Sequence, residues 1–495
     1  MGVNVAFASY HLAGRSLSSD EGTSWLVASE HGAVLWHSLA VQGGEMFLYY
    51  LVLHGVIGLF GPSVLVLRMP SVIAGTLAIP VVYQLGRHVA RSRLVGVEAA
   101  CLFAVSQPII FWQQDARAYS LDALFGAVTT LCIYLAATRN DGRWYAAWVI
   151  ASVAAYLTHP LSVLMIASQL VALPLLRWSR PALRHLLWSG VALAVAGIPL
   201  GYLAAGRGLA GLGWLTRPSW NSLEEVAQFF ASAAPSPERA LAWVALVLAL
   251  VAWITTLAAT IRLVARQGRG EVSFGMTLIL ATLVGAPVAA FVASEVVQPV
   301  FVDHYLIMAL PSAAVAIALA LQRLRRELLG VLGCGLLLAV HAAIVVSGYG
   351  VILGNDLAAT RYVVAHSNPR DCIMFYDESQ RTLYDYYTRN VPSSRLPRQV
   401  LPDQPDHPSA DLIQAVLNRS KTVDLYTNTA ALNAVARRCP VLWLYIAHAG
   451  GRHRGPLQLK AYEGLLGLTR SLSVHYDPAG VHEFDRTTVE LWLRP

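Results

Sequence analysis

The strongest constraint on this chain is a series of long apolar segments between Val5 and Gly348. A helix that crosses a bilayer needs about 20 mainly apolar residues, and segments of that kind recur throughout this stretch. Charged residues make up 13% of the 495 residues, against about 25% in an ordinary soluble domain. The sequence therefore predicts an α-helical polytopic membrane protein and excludes a soluble enzyme, a disordered chain and a fibrous protein.

The apolar segments predict eleven membrane-spanning helices, over residues 3–18, 65–86, 94–112, 119–138, 144–158, 160–176, 186–204, 240–260, 273–292, 305–322 and 328–348. The first is short, because a helix rises about 1.5 Å per residue and the hydrocarbon core is about 30 Å thick. We expect that part of this helix precedes the numbered start. A signal peptide is the alternative, but no charged segment precedes the apolar residues and no small-residue cleavage site follows them.

Arginine residues predict the orientation of the helices. If the loop with Arg87, Arg91 and Arg93 is cytoplasmic, fourteen arginines of the membrane region lie on that side and six lie outside, as the positive-inside rule requires. The net charge of +7 then reflects topology, and we predict a lipid bilayer but no nucleic acid as a partner. Residues 1–354 form the predicted membrane domain, and residues 355–495 form a soluble domain outside the cytoplasmic membrane.

Acidic residues concentrate on the predicted outer side, above all in the first outer loop, residues 19–64. The pair Asp20-Glu21 opens this loop, and Glu45 lies further along it. Carboxylates in this position can serve as a general base or hold a divalent cation, or they can simply favour the start of a helix. The apolar residues 45–60 are too few to cross and predict a helix at the interface, with Tyr49 and Tyr50 at headgroup depth.

Four sequence stretches together resemble a known family: RSLSSDEGTSW, GGEMFLYYLVLHGVIGLFG, VLRMPSVIAGTLAIPVVYQLGR and FWQQDARAYSLDAL. In their order and spacing they are similar to membrane glycosyltransferases of the GT-C fold, in the branch of protein O-mannosyltransferases and lipid A aminoarabinose transferases. The resemblance covers about the first 180 residues well. It implies a GT-C membrane domain and transfer of a sugar from a polyprenyl-phosphate donor at the outer face.

The resemblance also implies roles for acidic residues. It makes Asp20 the catalytic residue, with Glu21 beside it, and it makes Glu45 a metal ligand, so that a divalent cation is a candidate cofactor. The alternative for Glu45 is a rim acid that faces water. Arg117 and Asp122 match an Arg and a following Leu-Asp of the family, and a structural pair of Asp122 with Arg117 or Arg68 is the alternative.

The charge of the donor indicates which cations to look for. A polyprenyl-phosphate sugar is anionic, and the leaving phosphate gains charge, so an arginine or a metal is expected beside it. We predict this role for Arg68, with snorkelling to the interface as its alternative, and for Arg117. His304 is a further candidate, because Asp303-His304-Tyr305 stands where relatives often have Arg-Tyr.

Two more residues are predicted to orient the site. His159 lies at an outer tip between two apolar segments and resembles a Thr-His of relatives, although a helix-end histidine bonded to the backbone is the alternative. Tyr305 follows His304 directly. Asp115, next to Arg117, is expected to be more exposed and less informative.

The soluble domain predicts a small α/β fold with at least one βαβ unit. Strands are expected at residues 372–377, 441–447, 471–477 and 488–495, and helices at residues 378–387, 410–418, 429–438 and 457–466. Cys372 and Cys439 each lie at the start of a strand on the predicted oxidising side, where they can form a disulfide.

These observations predict an inverting glycosyltransferase of the cell membrane with Asp20 as the base. The sugar, mannose, arabinose-like or another, stays open, and so does the acceptor, which is a glycolipid, a polysaccharide or a protein. The alternatives are a transporter or lipid flippase of envelope precursors and a non-catalytic assembly protein. Transporters usually carry ionisable residues at mid-membrane and related halves, and neither is evident here.

Overall fold

The computed structural model describes residues 1–42, 44–176, 179–207, 215–234, 237–324, 326–350, 354–376, 380–400, 429–447 and 456–495. The membrane region consists of helices α1 (Gly2–Ser9), α2 (Ser19–Ser29), α3 (Gly32–Val41), α4 (Phe47–Phe60), α5 (Val64–Ala90), α6 (Arg93–Ala104), α7 (Gln107–Gln113), α8 (Tyr119–Arg139), α9 (Gly142–Thr158), α10 (Ser162–Leu170), α11 (Arg180–Arg207), α12 (Trp220–Phe230), α13 (Arg239–Gln267), α14 (Glu271–Val296), α15 (Leu310–Leu321) and α16 (Glu327–Gly348), with short 3-10 helices at Leu173–Leu175 and His304–Ala309.

The predicted soluble domain, residues 355–495, is called the soluble region below, and its described part contains both helices and strands. Its elements are α17 (Asp356–His366), β1 (Cys372–Tyr376), α18 (Gln380–Thr388), a 3-10 helix at Ser393–Arg395, β2 (Arg398–Gln399), α19 (Thr429–Arg438), β3 (Val441–Ala447), α20 (Pro456–Leu472), β4 (Asp477–Phe484) and β5 (Thr487–Leu493).

Seven helices of the described residues are long and apolar enough to cross a membrane, or eight if α6 and α7, which meet at a bend of 53°, form one span. The chain is therefore a multi-pass membrane protein, but the predicted number of eleven spans is not confirmed. The difference arises because α1, α9 and α10 have 8, 17 and 9 residues, fewer than the about 20 residues of a typical span.

Helix α1 replaces the predicted first span, which was expected to continue to residue 18. Buried polar contacts hold it: the side chain of Asn4 donates to the carbonyl of Ala104 (2.9 Å), and it exchanges hydrogen bonds with the amide of Gln113 (3.0 Å each). Satisfied buried amides of this kind fix one arrangement of the chain. Helix α1 ends at Ser9, and residues 10–18 connect it to α2 in the first outer loop.

Helix α4 has the predicted short length, and its two tyrosines lie inside the protein. Tyr49 and Tyr50 are fully buried; the first lies 3.1 Å from the Ser71 hydroxyl, and the second donates to Gln42 (3.1 Å). Polar partners inside the protein satisfy both hydroxyls, which makes burial of these amphipathic rings favourable. The first outer loop thus has an apolar core of its own.

The soluble region has the predicted α/β architecture. Its sheet has the strand order β2-β1-β3-β5-β4, with β1 parallel to β2 and β3, and β5 antiparallel to β3 and β4. Strand β1, helix α18 and strand β2 form the expected βαβ unit. Cys372 and Cys439 form a disulfide, as predicted, and the predicted helix at 410–418 lies outside the described residues.

The strand predicted at residues 471–477 is wrong. Helix α20 continues through Leu472, because Leu468 and Leu472 keep the helical spacing of four and both are buried. The hydroxyl of Tyr476 then donates to the carbonyl of Cys439 (2.8 Å), and the strand starts only at Asp477.

Candidate active site

The first turn of α2 places Asp20 and Glu21 in different surroundings. Ser18 caps this helix: its hydroxyl accepts from the backbone N–H of Glu21 (3.2 Å), and the Glu21 carboxylate accepts from the N–H of Ser18 (2.9 Å), which is a capping box. Consecutive helical residues point about 100° apart. Glu21 is consequently buried, at 2% exposure, while Asp20 is exposed.

Glu21 and Arg68 form a buried ion pair. The Nε and Nη2 atoms of Arg68 donate to the two carboxylate oxygens at 2.7 Å each. The remaining N–H groups reach the carbonyls of residues 12 (2.6 Å), 15 (3.3 Å) and 16 (3.1 Å). An arginine has five N–H donors, and these contacts use all of them, so Arg68 has no donor left for a phosphate.

This pair also holds the second outer loop. The backbone N–H of Ala116 donates to Glu21 Oε1 at 2.9 Å, so the Glu21 carboxylate binds the segment that carries Arg117. The Glu21 carboxylate thus accepts hydrogen bonds from four donors, two on Arg68 and the backbone N–H groups of residues 18 and 116, which occupy its acceptor sites. The geometry therefore favours a structural role for Glu21 and Arg68, which were predicted to act in catalysis and phosphate binding.

Of the two arginines predicted to bind the donor phosphate, Arg117 is the one with a donor atom still available. It is partly buried, and its Nε atom has no hydrogen-bond partner among the described residues. Burial would lower the pKa of its guanidinium, but nearby anions, with the Asp20 carboxylate foremost, hold that pKa well above its ordinary value. The guanidinium lies over the ring of Tyr119, 6.0 Å from its centroid. Asp20 and Arg117 thus face the same region as an acid and a permanent cation.

Asp115 is less exposed than predicted. It is partly buried, and its Oδ1 atom has no hydrogen-bond partner among the described residues. Burial first, and the Glu21 carboxylate second, raise the pKa of Asp115 well above its ordinary value. It therefore belongs to the same electrostatic cluster as Glu21, Arg68 and Asp20.

An aromatic cluster adjoins Arg117 and brings together three of the predicted residues. Tyr119 lies at its centre, with ring centroids at 4.2 Å from Trp112, 4.9 Å from His304, 6.2 Å from His159 and 6.4 Å from Tyr305. Trp112 and Tyr119 are absent from the sequence-based candidates. Their position beside Arg117 in FWQQDARAY is the signal that could have identified them.

The two histidines of the cluster differ in their surroundings. The ring Nδ1 of His304 lies 2.8 Å from the carboxylate of Asp303, which orients the ring and leaves Nε2 for a ligand. His159 is buried; burial lowers its pKa to about 4, while Glu45 acts in the opposite direction. His159 is therefore neutral at pH 7, and its Nδ1 has no hydrogen-bond partner among the described residues.

Asp122 lies apart from these charges. It is fully buried, its Oδ1 accepts from the Ser162 hydroxyl (2.7 Å), and its Oδ2 has no partner among the described residues. The predicted alternative pair with Arg68 does not form, because every N–H of Arg68 is used elsewhere. Asp122 instead joins α8 to the start of α10, just after His159.

The donor set around Glu45 does not fit a divalent cation. Among the described residues, no group of three or more histidine, cysteine or acidic side chains is arranged to hold a metal ion. Mg²⁺ and Ca²⁺ need several oxygen ligands around one point. Glu45 is partly buried and acts electrostatically on His159, Arg117 and Tyr119.

The soluble region packs directly on the helix that carries Asp20. Leu383 and Tyr386 of α18 are buried in the apolar core of the first outer loop. The hydroxyl of Tyr387 accepts from the N–H of Leu17 at 2.7 Å, and a Cβ on Gly22 would lie 2.5 Å from the Thr382 hydroxyl. Helix α18 thus fixes one side of α2.

A family model matches part of the chain. Residues 46–202 match the model of dolichyl-phosphate-mannose-protein mannosyltransferases, a stretch that includes Arg68, Arg117, Asp122 and His159. No curated protein matches the chain.

Solved structures match nearly the whole chain. ArnT from Cupriavidus metallidurans in the apo state has a TM-score of 0.58 at 13% identity, and its undecaprenyl phosphate complex has 0.51 at 14%; each match covers 99% of this chain and 96% of ArnT. The Archaeoglobus fulgidus oligosaccharyltransferase, in complex with Zn and sulfate, has a TM-score of 0.51 at 13% identity, with 96% of this chain and 71% of the other covered.

These likenesses define the class of architecture. The chain has the GT-C fold, in which a polytopic helical domain is followed by a small region that contains a sheet. The matching family and the structural neighbours are glycosyltransferases. At identities of 13–14% the structural likeness shows the fold alone.

Proposed function

We propose that this protein is a glycosyltransferase that moves a sugar from a polyprenyl-phosphate donor to an acceptor on the outer face of the cytoplasmic membrane. The observation that carries this proposal is a set of buried nitrogen atoms around Tyr119 that have no hydrogen-bond partner within the described part of the chain: Trp112 Nε1, Arg117 Nε and His159 Nδ1. Buried polar atoms are nearly always hydrogen-bonded. Oxygen atoms of a bound anion, such as the donor phosphate, would satisfy these nitrogens.

Arg117 is the main phosphate ligand in this proposal, with His304 beside it. A charge-assisted bond from a guanidinium to a phosphate is strong and directional, and the leaving phosphate gains negative charge as its bond to the sugar breaks. Arg68 acts indirectly, because its pair with Glu21 holds the loop that bears Arg117. The aromatic rings of Trp112 and Tyr119 supply apolar surface for the sugar.

Asp20 is the proposed general base. Its exposed carboxylate takes the proton of an acceptor hydroxyl while the hydroxyl oxygen attacks the anomeric carbon from the side opposite the phosphate. The new glycosidic bond forms, the bond to the phosphate oxygen breaks with its electron pair, and polyprenyl phosphate leaves. One displacement of this kind inverts the anomeric configuration.

Three observations support an outer location for the reaction. Helix α18 contacts α2, which supports a position of residues 355–495 on the same side of the membrane as the first outer loop, residues 19–64. The arginine distribution favours the outer side, and so does the disulfide between Cys372 and Cys439. The undecaprenyl phosphate bound to ArnT supports a lipid-linked donor, while the sugar and the acceptor stay open.

A donor panel tests the proposal. The purified protein in lipid nanodiscs is supplied with polyprenyl-phosphate-linked mannose, arabinose, aminoarabinose and galactose, with envelope extract as acceptor, and released polyprenyl phosphate is measured with and without chelator. We expect release from one donor and an about 10- to 150-fold weaker apparent donor affinity in Arg117→Met, from the roughly 1.5–3 kcal/mol of a charged hydrogen bond. No release from any donor would favour a transporter, and lipid-flipping assays would follow.

A further inference from the structure

A groove between α9 and α11 lies at the opposite end of the molecule, on the predicted cytoplasmic side. Two adjoining cavities of about 510 Å³ and 320 Å³ form it, and both are lined by His185 and Trp188. Arg180 and Arg184 line the larger cavity. Val149, Ile150 and Ala192 line the smaller one. The groove therefore has a basic mouth and an apolar wall.

Close packing fixes the mouth of the groove. The His185 ring stacks on Tyr145, with centroids 5.5 Å apart and planes 21° apart. A Cβ on Gly142 would lie only 3.0 Å from the His185 ring, so the glycine at the start of α9 admits the imidazole. Asp141, the nearest acid in sequence, is used as the cap of α9 and accepts from the N–H of Arg143 (2.9 Å).

Tyr145 provides an independent sign of a ligand. This residue is 2% exposed and lines the smaller cavity. Its hydroxyl has no hydrogen-bond partner among the described residues, although buried hydroxyls are normally satisfied. An oxygen-bearing molecule in the groove would provide the missing acceptor.

The exposed side chains of α11 indicate that such a molecule would enter from the lipid bilayer. Leu187, Trp188 and Val195 are each more than 60% exposed in a helix apolar enough to cross a membrane. This surface faces lipid, so the groove opens to the bilayer. Basic pockets between helices on the cytoplasmic side suit anionic lipid headgroups.

We propose that this groove binds one anionic phospholipid of the cytoplasmic leaflet. The phosphate lies between Arg180 and Arg184, the glycerol oxygens meet the Tyr145 hydroxyl, and one acyl chain follows the apolar wall formed by α9 and α11. The site is separate from the aromatic cluster around Tyr119 and does not depend on the proposed sugar transfer.

Native mass spectrometry of the full-length protein tests this site, with phosphatidylglycerol and phosphatidylcholine of identical acyl chains as probes. We expect one retained phosphatidylglycerol and at least a tenfold preference over phosphatidylcholine. Each arginine near an anionic lipid strengthens binding roughly fivefold, so Arg180→Gln/Arg184→Gln should weaken retention about 25-fold. Tyr145→Phe should weaken it several-fold.

The matched control is Arg262→Gln/Arg266→Gln, because these exposed arginines have the same spacing of four at the end of α13, on the same predicted side. Retention should be unchanged in this variant. Equal retention of both lipids, or an equal loss in the control, would overturn the proposal. Displacement of the lipid by millimolar inorganic phosphate would also overturn it, since the site would then bind a soluble anion.

Discussion

The buried pair of Glu21 and Arg68 yields a quantitative prediction. In Arg68→Met the Glu21 carboxylate stays buried and keeps only the backbone N–H groups of residues 18 and 116 as donors. Removing one partner of a buried pair costs about 3–5 kcal/mol, because the other charge is left uncompensated. Both side chains are 2–3% exposed, so solvent screens little of this cost.

Hydrogen exchange of helix α2 measures this cost. Every 1.4 kcal/mol is tenfold in an equilibrium constant, so amides of α2 should exchange about 150- to 4,000-fold faster in Arg68→Met, in nanodiscs, by mass spectrometry. The double variant Glu21→Leu/Arg68→Met removes both charges and should recover most of the protection. Arg117→Met is the comparison variant, in which protection of α2 should stay within a few-fold of the original.

One outcome would contradict the structural role of Arg68. If Arg68→Met left the exchange of α2 unchanged but abolished binding of the polyprenyl-phosphate donor, Arg68 would be a phosphate ligand. The two roles are distinguishable because exchange is measured without donor.

Three further predictions concern packing, protonation and the disulfide. Gly22→Ala should loosen α18, since the new Cβ would collide with the Thr382 hydroxyl; faster exchange in residues 380–388 is the readout, and unchanged exchange would contradict the contact. Burial lowers the pKa of His159 from 6.5 to about 4, so between these pH values the unfolded state binds more protons than the folded state. The free energy of unfolding should therefore fall by up to about 3 kcal/mol from pH 6.5 to 4. His159→Gln should flatten this pH dependence, which denaturant unfolding at several pH values would test. Cys439→Ser removes a disulfide with Cys372 that spans 67 residues, and the free energy of unfolding of the soluble region should fall by about 4 kcal/mol. An unchanged unfolding midpoint would contradict this expected stabilisation by the disulfide.

The sequence predicted the elements of the site better than their roles. Ser18 and Glu21 have the spacing of a capping box, so the orientation of α2 was readable in advance. The burial of Arg68 was not, because its partners include carbonyls of residues 12–16, and these meet α5 only through tertiary packing. A sequence motif can predict that an arginine lies near an acid. It does not show whether hydrogen bonds within the protein already occupy every N–H group of that arginine.

The aromatic cluster illustrates a second limit. Trp112 and Tyr119 lie on either side of Arg117, but their contacts with His159 and His304 join segments about 40 to 190 residues apart in the chain. Periodicity within a helix does not encode such contacts. The number of spans is not confirmed for a related reason: the apolar segments next to Pro160 and at the N-terminus form helices shorter than a typical span of about 20 residues.

Asp20 acts as the base of the sugar transfer in the proposed mechanism. The most direct test is the turnover of Asp20→Asn with the donor found in the panel, against Glu224→Gln, which alters another exposed acid predicted to lie outside. A general base contributes about 10²- to 10⁴-fold. We predict a loss of kcat of that size with donor KM within threefold and protection of α2 intact, and no loss in Glu224→Gln. Turnover of Asp20→Asn within threefold of the original protein would contradict the account.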